Sequence, residues 1–462
     1  MRLSSGRALG GALLALITGA VAVAPAAAQS YAARVRESQL PNGLKLILLE
    51  DHTAPVAVFQ IWYRVGSRNE ALGHTGLSHL LEHMMFKGTP KVAPEEYSRI
   101  IQSNGGQTNA FTSQDYTTYF ATMASDRLGV VIDLEADRMS HLIIDAALFD
   151  PERAVVAEER RLRVDNNPVA AMFEQLGATA YAAHPYQFPI IGWMSDIEQS
   201  TADDLRRWYQ SYYVPNNAFV VVVGDFSADR LGPELETAFA ANPRGPDPPA
   251  VRSIEPRQQG ARRVEVRRPA ELPFVAISYH VPNLYSSDGV ALEVLEEMLG
   301  GGKSARLYSE LVYRRRLAHD VGASYDYTSR NPGLFTVYAQ PLPGKSAAEL
   351  EKALLAEIEK IKQASPHDSE VQKARNGIEA SFVFAQDSLF YQGLLLGQYE
   401  IVGDWRLLDT YLPAIRAVTG ADVTRVAWAY LTADNRTVGT LVNLPTTGER
   451  PVAGAVPMGP LQ

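Results

Sequence analysis

From Ser38 onward the chain alternates short runs of β-branched and aromatic residues with longer stretches of helical period. Gly43–Leu49 and Val56–Val65 read as strands, separated by the turn-like stretch from Asp51 to Pro55. Gly76–Lys87 takes a helical period. Pro94–Ile101 predicts another helix, stopped by Asn104, Gly105 and Gly106. Thr108–Ser113 and Thr117–Thr122 predict paired strands, and Leu128–Leu148 is helical in period. A further helix follows, with Pro151 near its first turn, where the missing N–H costs nothing. Thr201–Tyr213 predicts a helix and Asn217–Gly224 a buried strand.

Residues 243–262, rich in Pro, Arg, Gln and Gly, read as a linker, and the pattern then repeats. At a constant shift of 218, Thr201, Asp204, Arg207, Tyr212 and Asn217 fall on Thr419, Asp422, Arg425, Tyr430 and Asn435. The expected division is therefore 29–242 and 263–446, with 447–462 as a tail. A length of 462 residues suits two cores better than one. The net charge of −9 leaves no basic excess to neutralise phosphate, which argues against a general nucleic-acid binder. Arg2 and Arg7, the apolar run Ala8–Ala24 and the small residues Pro25–Ala28 read as a secretory leader over 1–28. Export, with the periplasm as the compartment, is the expectation. No later stretch is apolar enough to span a bilayer.

The chemistry gathers at His79, Glu82 and His83. On a helix the two imidazoles sit one turn apart on one face, and Glu82 lies about 60° round from His79. That spacing can hold a Zn²⁺, with a carboxylate beside it to take a proton from water. The order His-x-x-Glu-His is the inverted form of the commoner zinc-protease motif. A third ligand must be oxygen or nitrogen, because the chain has no cysteine. Glu152 and Glu159, seven apart, stack on one helical face, whereas Glu158 points away. Glu159 is the expected third ligand, and Glu152 a carboxylate that orients a ligand or the water. His52, His74, His141 and His184 lack register with the motif and read as structural or solvated.

The chain resembles the pitrilysin/insulysin family of inverted-motif zinc metallopeptidases, closest to its short-chain, mitochondrial-processing-peptidase-like branch. The matching stretches are Gly66–Glu70, Gly76–His83, Phe86–Thr89, Asn109–Thr112, Glu152 with Glu159, and Gly300–Leu307. The resemblance implies zinc on His79, His83 and Glu159, with Glu82 as catalytic base. It implies an α+β fold of two homologous domains facing each other across a cleft, each a largely antiparallel β-sheet with helices packed on it. It also implies a substrate bound as an added strand at Asn109 and at the main chain of Ala110, with Phe86 nearby. Read without it, Asn109 sits on an ordinary strand. The stretch Gly300–Ser304 lacks the first glycine of a phosphate loop, since Glu297 stands there, and reads as a turn.

The shift of 218 carries His79, His83 and Glu159 onto Glu297, Gly301 and Gly377, so the second half has no metal set of its own. Self-sufficient relatives carry an Arg and, seven residues on, a Tyr in that half. Val312 and His319 stand at those positions here. The expectation is a zinc-dependent endopeptidase acting as the catalytic subunit of a heterodimer, whose homologous partner supplies the Arg/Tyr pair. His319 acting in place of the Tyr is the variant of that reading. The alternative is a non-catalytic structural subunit of the same fold.

Overall fold

The structure, a computed structural model, describes residues 30–445. The leader expected over 1–28 and the tail expected over 447–462 lie outside the described residues. Eleven strands form two sheets among the described residues. The first comprises β1 (Val35–Gln39), β2 (Lys45–Glu50), β3 (Val56–Tyr63), β4 (Gln107–Thr112), β5 (Thr117–Ala124) and β6 (Ala218–Gly224). Its order is β1-β2-β6-β3-β5-β4, antiparallel except for the β2–β6 pair. The second comprises β7 (Arg262–Pro269), β8 (Phe274–Val281), β9 (Ala318–Tyr325), β10 (Gly333–Pro341) and β11 (Arg436–Leu444). Its order is β7-β11-β8-β10-β9, antiparallel except for β7–β11. Without β1 the two orders are the same, so the sequence repeat is a structural one. Helices Ala202–Tyr212 and Gly420–Tyr430 even share a reciprocal cap, Thr201 with Asp204 and Thr419 with Asp422.

Each sheet is covered on both faces, which is why β3 and β6 read as continuous apolar runs. One face carries helices of the same half. The other is covered by a helix sent from the opposite half. Pro168–Ala180 sets Met172 and Leu176 against Phe274, Ala276 and Leu441 of the second sheet. Leu389–Val402 sets Leu396 and Tyr399 against Ile47, Trp62, Phe219 and Val221 of the first. Shifting 168–180 by 218 overlaps the second of these helices, so the exchange is reciprocal. Gly397 permits the close approach, since a Cβ there would lie 2.2 Å from the Trp62 ring.

Three expectations need correction. A strand, β1, begins at Val35, ahead of Ser38, and extends the first sheet beyond β2. The helical run 128–148 divides into Leu128–His141 and Ala146–Arg160, because the Asp145 side chain accepts the Leu148 N–H and starts a new helix. Pro151 therefore lies inside that helix, where it removes one helical hydrogen bond, rather than in its first turn.

Candidate metal centre

The helix Leu77–Met84 is set in place before its polar face is considered. Leu77, Leu80, Leu81 and Met84 enter the first-half core, which leaves His79, Glu82 and His83 on the remaining face. Its free N–H groups are met from outside the helix. Buried Glu70 accepts the Gly76 N–H at 2.7 Å and the Ser78 N–H at 2.8 Å. Asp196 accepts the N–H groups of Gly73 and Thr75 and the Thr75 hydroxyl. Burial pushes Glu70 up to about 8 despite these bonds, whereas hydrogen bonds from Thr75 hold Asp196 below the usual carboxylate range against its burial, so the negative charge favourable at a helix N-terminus is that of Asp196.

His79, His83 and Glu159 each turn one donor atom to a common point, all within 4.8 Å of one another. Glu159 Oε2 lies 3.3 Å from Nε2 of His83 and 3.6 Å from Nε2 of His79. That oxygen is buried and has no hydrogen-bond donor. A buried carboxylate oxygen left without a donor is costly, and a cation at this point relieves it. Two neutral imidazole nitrogens and one carboxylate oxygen are the donor set of a catalytic Zn²⁺ site. The residues fit the ion.

Their surroundings fix them further. His83 Nδ1 lies 2.8 Å from Glu152 Oε1, whose second oxygen accepts from Lys87 Nζ at 2.7 Å. Burial, aided by the nearby His83, depresses His79 to a pKa of about 4, so its ring is neutral. For His83 burial also opposes the charge. Glu152 and Glu159 outweigh it and push that pKa up to about 9. Burial alone would raise Glu152 and Glu159, but hydrogen bonds from His83 and Lys87 hold Glu152 below the usual carboxylate range, and the closeness of His83 and Arg163 holds Glu159 there. Glu82 is the opposite case: burial lifts it above that range, against a 2.6 Å hydrogen bond from the Thr112 hydroxyl.

The other expected residues divide. Asn109 and Ala110 lie on β4, the strand at the free edge of the first sheet, and Thr112 of the same strand reaches Glu82. Asn109 Oδ1 accepts the Ala110 N–H at 2.9 Å, so that N–H already has a partner. Phe86 is half-buried against Tyr97 and Tyr119, with the Arg138 guanidinium over the same rings; it does not join the donor group. Glu158 is exposed and pairs with Arg161. In the second half Val312 packs on the core and His319 is exposed on β9, its edge strand. Glu70, Lys87, Thr112 and Arg163 were not singled out from the sequence. Glu70, Lys87 and Thr112 fall within the matching stretches Gly66–Glu70, Phe86–Thr89 and Asn109–Thr112, and Arg163 outside them, but the roles of all four come only from tertiary contact.

The positions equivalent to the donor set also meet. A Cβ on Gly377 would lie 2.6 Å from Glu297 Oε1, and one on Gly301 2.4 Å from the same oxygen. The Glu297 carboxylate fills the place between the two glycines. Glu370, the counterpart of Glu152, pairs with Arg306. The framework around the site persists where the donors do not.

Comparison with known proteins agrees with this geometry. Residues 45–192 match the family described as insulinase (peptidase family M16), and residues 199–378 match the M16 inactive domain. The chain is 35% identical over 409 residues to the zinc protease PqqE of Helicobacter pylori, covering 87% of this chain and 91% of that protein. It is 31% identical to an uncharacterized zinc protease of Streptomyces coelicolor, covering 85% and 86% respectively. A crystal structure of a protease from Helicobacter pylori superposes with a TM-score of 0.86 at 33% identity, covering 88% of this chain and 99% of that one. Family and relatives alike support a peptidase-type function.

Proposed function

The chain belongs to the M16 peptidase family, and from that premise we propose that it is a zinc-dependent endopeptidase with its chemistry in the first half. The observation that carries the reading is the convergence of His79, His83 and Glu159 on one point, with Glu82 close enough to feel the charges of His83 and Glu159. His79 and His83 would hold Zn²⁺ through Nε2 and Glu159 through Oε2. The bound ion supplies Lewis acidity, making water more acidic and the peptide carbonyl more electrophilic.

Glu82 is the base in this reading. Its burial raises its affinity for a proton, and the Thr112 hydroxyl fixes the direction of its carboxylate. It accepts a proton as water attacks the carbonyl and delivers it to the leaving amine. Glu152 keeps His83 oriented with Nε2 toward the centre. The substrate lies along the free edge of β4 as an added strand, a mode that gains affinity from backbone hydrogen bonds and tolerates varied side chains. For that pairing to form at Ala110, Asn109 releases the Ala110 N–H to the substrate and its own side chain turns to the peptide. Phe86 contributes to the wall beside the scissile bond.

The Arg/Tyr pair comes from a homologous partner subunit, because Val312 is packed on the core and His319 points from an edge strand. Reading 1–28 as a leader makes the enzyme an exported, periplasmic one. Glu82→Gln separates this function from a scaffold role: it is expected to abolish peptide cleavage while one zinc per chain remains bound. Retained turnover in that variant removes Glu82 from the mechanism. A wild-type chain that binds no zinc and cleaves nothing, alone or with its partner, favours the non-catalytic subunit. Full activity of the isolated monomer removes the need for a partner.

A further inference from the structure

The two oxygens of Glu159 have different surroundings. Oε2 is buried, faces both imidazoles and has no donor. Oε1 meets Nε of Arg163 at 2.9 Å. Arg163 lies four residues on, beyond the point where the helix Ala146–Arg160 widens into the π-turn Arg161–Asp165. Its side chain is 73% exposed. An i,i+4 Glu/Arg pair of this kind is ordinary and weak when it stands alone on a surface. Here its partner carboxylate is mostly buried, and the pair leaves free the one oxygen that points at the donor cluster.

We propose that Arg163 is a positioning residue for the metal ligand. By occupying Oε1 it turns Oε2 toward Nε2 of His79 and His83 and makes Glu159 a one-oxygen ligand. The proposal rests on the reading of His79, His83 and Glu159 as a zinc site. Without the guanidinium the carboxylate rotates freely about its last torsion or swings outward, and the cost of ordering it falls on zinc binding. Glu152 steadies His83 from the buried side, and Arg163 steadies Glu159 from the solvent side. The second contact is therefore the one that salt weakens.

The test is zinc affinity, measured by competition with a chromophoric chelator on the full mature chain, alongside thermal unfolding of the metal-free protein. Arg163→Ala is expected to weaken zinc roughly ten- to a hundredfold with the metal-free unfolding temperature unchanged. Arg163→Lys recovers part of the loss, since a point charge replaces the fork. Zinc affinity in Arg163→Ala within about twofold of wild type, the result a plain surface pair gives, overturns the proposal. So does a loss of affinity matched by an equal loss of metal-free stability. If wild type binds zinc, and His83→Ala abolishes binding while Arg163→Ala leaves it unchanged, only the role of Arg163 fails. If wild type takes up no zinc, the site itself fails, and the proposal with it.

Discussion

A side chain in this site is defined as much by what holds it as by what it can do. His83 is an ordinary imidazole until Glu152 takes its Nδ1 at 2.8 Å and leaves Nε2 for the common point with His79 and Glu159. Glu152 is itself held by Lys87, so its orientation does not depend on the metal. Replacing Glu152 with Gln keeps the shape and removes the charge. Zinc affinity of that variant, measured by chelator competition, is expected to fall roughly ten- to a hundredfold. Affinity equal to wild type would mean that Nδ1 needs no carboxylate.

Two elements set the site, and each carries a prediction of its own. The histidine helix begins on Glu70, which meets two backbone N–H groups that would otherwise be buried without a partner. Glu70→Ala is expected to lower stability by about 3 kcal/mol, read as a shift of the denaturation midpoint of the metal-free chain. The counterpart helix Asp288–Gly300 carries buried carboxyl groups of its own. Burial pushes Glu293 and Glu296 up to about 8 from an ordinary 4.5, with Glu296 adding to the rise at Glu293 and Glu297 to that at Glu296. The folded chain keeps those protons at pH values where the unfolded chain has released them. Stability therefore falls as pH rises from about 4.5 to about 8. Glu296→Gln is expected to raise the unfolding temperature at pH 8 and to change it little at pH 5. An equal effect at both values would show that burial of the charge is not the cause.

The whole molecule is held together by an exchange. Each sheet has one face covered by a helix from the other half, so neither half can unfold without exposing the partner's apolar face. Calorimetry of the metal-free chain is expected to give a single transition. Leu396→Ala, which empties a fully buried position on the first sheet, is expected to lower that one transition by about 2–5 kcal/mol. Two resolved transitions would contradict the interlock. The same architecture explains why a metal-less second half persists: it still supplies the cover of the first sheet. Glu297, seated between Gly301 and Gly377, shows that the place equivalent to the metal centre is filled by packing.

Much of this was legible along the chain because it depends on short-range geometry. The one-turn spacing of His79 and His83 and the two-turn spacing of Glu152 and Glu159 follow from helix pitch alone. The repeat at a shift of 218 needs only the eye, and β2, β3, β5 and β6 recur at that shift as β7, β8, β10 and β11, as do the capping boxes, whereas β9 starts earlier than the shift of β4 predicts. Tertiary structure alone decided the rest. Whether two helices some 70 residues apart bring Nε2 and Oε2 to one point depends on how each docks on the core. Which oxygen of Glu159 meets Arg163, and that Thr112 reaches Glu82, are contacts between elements that carry no periodic signal. The crossing of Pro168–Ala180 and Leu389–Val402 was equally hidden. An apolar helical face records that it will be buried, and the sheet that buries it is chosen only when the chain closes.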